Sequence, residues 1–379
     1  MKNIFFICLC ALFAFTGCAD DDDDLLTGGN VDIDLLPDSK PNDVVNTNVF
    51  DIINLNYPGL EKVKEFYETG EYYYAANALL EYYRTRTNVT NPNLSLINVT
   101  ISEADQTKAD YALEDYRFHV NNFYEDQETL KPYSLKKDGT INWTFSPEGA
   151  SDEYQKQLHR HQWFIPQAKA YRISGNEKYI QSWIEVYNNW IDQNPKPESG
   201  TNTTSWWQLQ VATRINDQVQ LLEYFKNSIN FTPEWLTTFL VEFAEQADFL
   251  VDYPYESGGN ILISQANALA TAGTLMPEFK NAEKWMETGY QILSEEVQNQ
   301  IMSDGWHKEM SLHYHISIVA DFYEAMKLAE ANQLSSKLPS NFTEPLRKAA
   351  EVVMHFTYPN YFSKGSDNVV PMFNDSWSR

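Results

Sequence analysis

Past its eighteenth residue the sequence has no cysteine: Cys8, Cys10 and Cys18 are all it contains. The body of the protein can therefore form no disulfide, although the chain starts like an exported one, and its stability must come from core packing. Basic residues are scarce as well, 28 Lys plus Arg against 53 Asp plus Glu, for a formal net charge of −25. Such a chain has no long-range electrostatic hold on nucleic acid, and no nucleic-acid partner is expected. The apolar run from Ile4 to Phe15 is too short to span a bilayer as a helix. Clear alternating strand patterns are scarce until the last residues.

Several catalytic signatures are missing too. There is no GxSxG elbow for a serine nucleophile, and the only cysteine left after processing would be Cys18. Neither HExxH nor paired Cys-x-x-Cys occurs, and Glu309 and His313 form only a weak i, i+4 pair, so no metal and no cofactor are expected. Hydrolysis by paired carboxylates finds no specific signature.

What is present begins with Met1-Lys2, an apolar stretch and Thr16-Gly17-Cys18, the order of a charged region, a hydrophobic region and a small-residue cleavage site. A cysteine directly after Thr-Gly resembles a bacterial lipobox, which implies cleavage before Cys18, acylation of its thiol and a lipid anchor. Asp20 to Asp24 follow. They resemble the acidic signal that takes some Gram-negative lipoproteins to the outer face, or form a solvated spacer. The expected location is outside the cytoplasm, anchored by lipid to the outer membrane on its periplasmic or surface face.

The division expected is a lipoprotein signal peptide over 1–17, a lipidated acidic tether over 18–47 rich in Gly, Asp, Asn and Pro, and a folded domain over 48–379. Aromatic residues make up 14% of the chain and hydrophobic ones 43%, enough for one large core. Ile180, Trp183, Ile184, Tyr187 and Ile191 paint one helical face; Leu236, Phe239, Leu240, Phe243 and Ala247 paint another. Thr232-Pro233-Glu234 places a capping hydroxyl, a first-turn proline and an early acid before the second of these, and Ser174-Gly175-Asn176 separates two others. Many helices of this kind joined by short loops predict an all-α fold of paired helices, either an α/α toroid or a solenoid.

Polar and aromatic residues gather in four segments: 157–163 (QLHRHQW), 205–214 (SWWQLQVATR), 258–265 (GGNILISQ) and 304–315 (DGWHKEMSLHYH). Five of the seven histidines fall in the first and last. Sugar rings offer apolar faces beside hydroxyls, so Trp and Tyr stacking with Asn, Gln and Arg hydrogen bonds is the chemistry a glycan needs. Arg160, His161, Arg214 and Lys308 bring positive charge into a very acidic chain, as an anionic substrate requires locally. His313-Tyr314-His315 sets two imidazoles beside a phenol, close after Glu309.

GGNILISQANALATAGTLMPEF followed by DGWHKEMSLHYH resembles the heparinase II/III polysaccharide lyases, most closely the heparinase III type, from about Val49 onward. The resemblance implies an α/α toroid and a catalytic pair that falls on Asn260 and Tyr314. It also implies that the first two segments line the substrate cleft, with Arg160, His161, Trp207 and Arg214 as contacts and Glu309, His313 and His315 beside the pair. Relatives commonly carry His directly after the Asn, where this chain has Ile261. They continue into a C-terminal β-sandwich that supplies a catalytic His. This chain stops at Arg379, so it is expected to be an incomplete toroid, inactive on its own.

The implied reaction is β-elimination at a uronic acid: a base removes the C5 proton, the C4–O bond breaks and an unsaturated uronate is left. Asn260 would hydrogen-bond the substrate carboxylate so that the carbanionic intermediate is stabilised. Tyr314 would act as base, as acid to the departing O4, or as both, if nearby positive charge, such as His313 or His315, lowers its pKa from about 10. Two rivals stand beside a heparan sulfate lyase: a non-catalytic surface glycan-binding lipoprotein, and a lyase for another uronate polymer such as alginate or chondroitin.

Overall fold

Whether a helical chain closes into a ring or winds into a solenoid is decided by which helices touch. The computed structural model describes residues 40–120, 132–198, 203–357, 370, 371 and 374. Cys18, the signal peptide, the acidic run and the tether as far as residue 39 lie outside the described residues.

The helices are α1 (Val49–Ile52), α2 (Glu61–Glu68), α3 (Tyr72–Thr85), α4 (Glu103–Tyr111), α5 (Glu153–Leu158), α6 (Phe164–Ser174), α7 (Lys178–Gln193), α8 (Gln208–Phe225), α9 (Pro233–Asp252), α10 (Gly259–Leu275), α11 (Ala282–Gln300), α12 (Leu312–Ala331) and α13 (Thr343–Phe356). Every second one forms a row: α4 packs on α6, α6 on α8, α8 on α10 and α10 on α12. The intervening α7, α9, α11 and α13 lie outside this row, α9 against both α8 and α10, and α11 against α10. Each inner helix is reached through an outer one running back, so the inner helices point the same way. Ser264 and Asn267 of α10 both bond Asp321 of α12, at 2.9 and 3.2 Å, as parallel neighbours would.

The row curves. The charge of Arg160, just ahead of α6, acts on Tyr314 of α12, three helices further along. With helices 8–10 Å apart, a straight row would separate them by roughly 25–30 Å, beyond the reach of a screened interaction. An inner row of helices backed by alternating outer ones is the arrangement of a helical toroid.

Local signals act as the sequence predicts. Thr232 accepts a hydrogen bond from the Trp235 N–H (3.4 Å) at the start of α9, whose Leu236, Phe239, Leu240, Phe243 and Ala247 are all buried. Ile180, Trp183 and Tyr187 are buried on α7, while Ile184 and Ile191 sit at the edge of the core. Gly175 ends α6 in the left-handed conformation. One short antiparallel hairpin, β1 (Lys136–Lys137) with β2 (Thr140–Ile141), turns at Asp138-Gly139, both at positive φ. That Asp-Gly pair is a hairpin signal which the search for alternating strands passes over.

Residues 40–47, expected to belong to the tether, are tied to the folded body. Asn42 accepts from the Tyr73 N–H (3.0 Å) and donates to the Gly70 carbonyl (2.7 Å), the Asn46 N–H donates to Thr237 Oγ1 (3.0 Å), and Val45 is buried. This stretch reads as linker because it is held by side-chain and backbone hydrogen bonds, with little apolar periodicity.

Candidate active site

The four segments singled out above lead into four successive inner helices, α6, α8, α10 and α12, and so gather at one end of the ring. Contacts tie them in order. Lys156 Nζ lies 5.0 Å over the Trp207 ring, Trp207 meets Tyr255 edge-on at 6.4 Å, and Gln208 Nε2 donates to the Tyr253 carbonyl (3.0 Å). Arg214 Nη1 donates to the carbonyls of His159 and Ser205, both at 2.8 Å, stapling the first segment to the second. Gln300 Nε2 donates to the Gly259 carbonyl (3.1 Å), and the Lys308 N–H donates to the Gln300 carbonyl (2.9 Å), joining the third segment to the fourth.

Asn260 is the second residue of α10 and partly exposed. The chain reaches it through Gly258 and Gly259, at φ +70° and +74°. A Cβ on Gly259 would stand 2.8 Å from Glu309 Oε1, the far end of an exposed side chain that would have to swing aside. Tyr314 is the third residue of α12 and also partly exposed; its N–H is capped by Ser311 Oγ (3.4 Å). Both residues thus sit in the first turns of parallel neighbouring helices, where backbone N–H groups and helix dipoles favour an anion.

Arg160 is nearly buried and paired with Glu153 (3.1 Å). Burial lowers its pKa, while the charges of Glu153 and Tyr314 oppose that shift.

Among the expected contacts, the side chains of His161, Arg214 and His315 lie below the surface. His161 is buried at φ +60° and boxed by the rings of Trp143, Trp163, Tyr187 and Trp190 at 5.0–5.7 Å. Burial, then the Arg214 charge, holds its pKa well below the usual imidazole range, so it is neutral. Arg214 is 1% exposed, lies 4.3 Å over Trp190 and donates through Nε to Gln246 (2.8 Å). Burial brings its pKa to about 10, against the pull of Tyr187 and Glu242, and leaves it charged at neutral pH. It organises the rim from within.

His315 is also fully buried: its Nδ1 accepts from the His307 N–H (3.1 Å) and its Nε2 donates to the Ala349 carbonyl (2.8 Å). That pattern requires a neutral ring, and burial lowers its pKa accordingly. His315 therefore supplies no positive charge to Tyr314. His313 is buried with its ring edge-on to Tyr314 at 5.6 Å. Glu309 and Lys308 are exposed against the two glycines, and Trp207 is partly exposed. Most tryptophans belong to the core; among the described residues only Trp207 and Trp306 keep appreciable exposure.

Sequence reasoning missed Lys156, Tyr255 and Gln300. None lies in a motif; only the position of Gln300 as the last residue of a long helix sets it apart. Among the described residues no group of three or more His, Cys, Asp or Glu is placed to hold a metal ion.

The chain belongs to the family described as heparinase II/III N-terminus, whose profile matches residues 49–379. The heparin-sulfate lyase of Bacteroides thetaiotaomicron is 90% identical over 379 residues, covering 100% of this chain and 54% of the relative. That of Pedobacter heparinus is 32% identical over 336 residues, covering 86% of this chain and 48% of the relative. The chain spans about half the length of the curated relatives it matches. A crystal structure of heparinase III, 90% identical, aligns over 88% of this chain and 51% of its own with a TM-score of 0.86. The heparan sulfate lyase HepC of Pedobacter heparinus, 31% identical, aligns over 88% of this chain and 50% of its own with a TM-score of 0.69.

Proposed function

We propose that the protein carrying this chain cleaves heparan sulfate or a closely similar uronate glycosaminoglycan by β-elimination. The observation that carries this reading is the placement of Asn260 and Tyr314 in the first turns of adjacent parallel helices, with the Arg160 charge acting on the phenol. A uronate carboxylate at the two helix N-termini would accept from Asn260 and the local dipoles, which stabilises charge as the C5 proton leaves. Tyr314, near the Arg160 guanidinium, takes that proton; returning it to the O4 leaving group completes the elimination without water. Trp207, with Lys156 over its ring, offers a stacking face and a cation to a neighbouring sugar. Names of relatives favour heparan sulfate over alginate or chondroitin, and a lyase over a passive capture protein.

We also propose anchorage through an acylated Cys18, with the acidic run after it directing the protein to the outer membrane. Labelled fatty acid should enter the full-length protein and be lost on Cys18→Ala; label retained by that variant would exclude the anchor.

The test of the reaction is incubation of the full-length protein with heparan sulfate, following the ultraviolet absorbance of the unsaturated product. Tyr314→Phe should lower turnover by ~10²–10⁴-fold while binding survives. Asn260→Ala should lower it by ~10²–10³-fold. Full turnover by the Phe variant would remove Tyr314 from the mechanism. Binding without any unsaturated product from the wild type would favour the capture protein.

A further inference from the structure

Gln300, the last residue of the outer helix α11, is fully buried and reaches both catalytic segments at once. Its side-chain amide donates to the carbonyl of Gly259, the residue before Asn260 (3.1 Å), and to the Glu296 carboxylate. Its side-chain carbonyl meets His307 Nε2 (2.8 Å), and its backbone carbonyl accepts from the Lys308 N–H (2.9 Å). The His307 N–H donates in turn to Nδ1 of His315, the residue after Tyr314 (3.1 Å), whose Nε2 donates to the Ala349 carbonyl of α13 (2.8 Å).

The protons in this chain have one arrangement. Because the Gln300 NH₂ faces two acceptors, its Oε1 accepts and His307 Nε2 carries the hydrogen. All three side chains are 0% exposed, so water cannot substitute for a lost partner. Burial lowers the pKa of His307 to about 4, helped by His315 and Lys308, and lowers that of His315, whose ring must be neutral for its Nδ1 to accept.

We infer that Gln300, His307 and His315 form a positioning bracket that fixes Asn260 against Tyr314, so that Gln300 acts on the elimination through those two residues without touching the substrate. The inference rests on the elimination reading above. It assigns a role in catalysis to an outer helix, whose Gln300 bonds the carbonyl next to Asn260 directly and reaches the ring next to Tyr314 through His307. A displacement of about 1 Å at a reacting group can cost ~10²-fold in rate, which a loosened bracket would allow.

The experiment is a double-mutant cycle in the full-length protein, with kcat and KM measured on heparan sulfate. Gln300→Met keeps the side-chain volume and removes every side-chain bond. Gln300→Glu keeps the acceptor for His307 and removes donation to Gly259, and serves if the Met variant does not fold. Each should lower kcat by ~10–10²-fold with KM within about threefold. Added to Asn260→Ala, each should cost a clearly smaller fold loss than in the wild type, because one of the two residues acted upon is already gone. Unchanged kcat in the Glu variant, or an equal fold loss in both backgrounds, would overturn the bracket alone. A wild type that yields no unsaturated product, or an Asn260→Ala enzyme at full speed, would overturn the site reading and the bracket with it.

Discussion

Two regions of the molecule are equally rich in aromatic rings and use them in opposite ways. Around Trp183 the rings of Phe225, Phe231, Trp235 and Phe239 stand at 5.0–6.0 Å, contributed mainly by the long outer helices α7 and α9 and the end of α8. Around His161 the rings of Trp143, Trp163, Tyr187 and Trp190 stand at similar distances, but they enclose an imidazole in the left-handed conformation and, over Trp190, a buried guanidinium. His161 Nε2 and Arg214 Nη2 find no partner among the described residues. The first region draws its stability chiefly from apolar area, although the indole N–H groups of Trp183 and Trp235 also find no partner among the described residues. The second carries costs in strain, desolvation and unmet hydrogen bonds, which a fold retains where function constrains it. The difference predicts that substitutions in the two regions separate stability from turnover.

The largest effect on stability belongs to Trp183→Ala, expected to cost about 3–5 kcal/mol in urea denaturation, because a fully buried indole leaves a cavity its ring neighbours cannot fill. Molecules that remain folded should turn over at close to the normal rate. Arg214→Met comes next, at about 2–3 kcal/mol, since the His159 and Ser205 carbonyls and the Gln246 amide lose a shared donor. Here turnover per folded molecule should also fall, as the segment holding Arg160 is no longer stapled to the next. Equal turnover by the two variants at matched folded fraction would erase the distinction between the regions.

The aromatic core was legible in the sequence because its rule is periodic: residues three and four apart on α7 and α9 are the ones buried, and the cap at Thr232 forms as its spacing predicts. The rim was legible as chemistry but not as geometry. Its four segments could be picked by composition, yet the sequence does not say that each precedes an inner helix. That fact depends on the alternation of inner and outer helices, a long-range property. The same gap applies to single side chains. Arg214 and His161 have the chemistry of ligand contacts, and only tertiary packing puts them beneath the surface. Gln300 carries no local pattern at all.

Gly259→Ala sharpens the comparison on a smaller scale. The position has φ +74°, and the added methyl would meet Glu309 Oε1 at 2.8 Å. A destabilisation of about 1–2 kcal/mol is expected from the backbone alone. Glu309 is exposed and can swing away, so the loss in turnover should exceed the loss in stability, because Asn260 is the next residue. A variant with normal turnover would show that the approach to Asn260 tolerates displacement.

The smallest effect concerns Asp321, which bridges α10 and α12 below the catalytic pair. Burial pushes its carboxyl up to about 7, and the Ser264 hydrogen bond only partly offsets this. In the unfolded chain an Asp titrates near pH 3.9. Between about pH 4 and pH 7 the folded state therefore holds a proton that the unfolded state has released, and stability must fall as pH rises through that window. Asp321→Asn removes this contribution while keeping an acceptor for Ser264. Its midpoint in urea should match the wild type near pH 4 and exceed it above pH 7, by on the order of 1 kcal/mol or less, because water at this partly exposed site screens the charge. A constant difference across that range would mean that Asp321 is already ionised at pH 4. The α10–α12 junction would then be held by a carboxylate, and the polarity of the rim would extend two turns further down the inner helices than the neutral form implies.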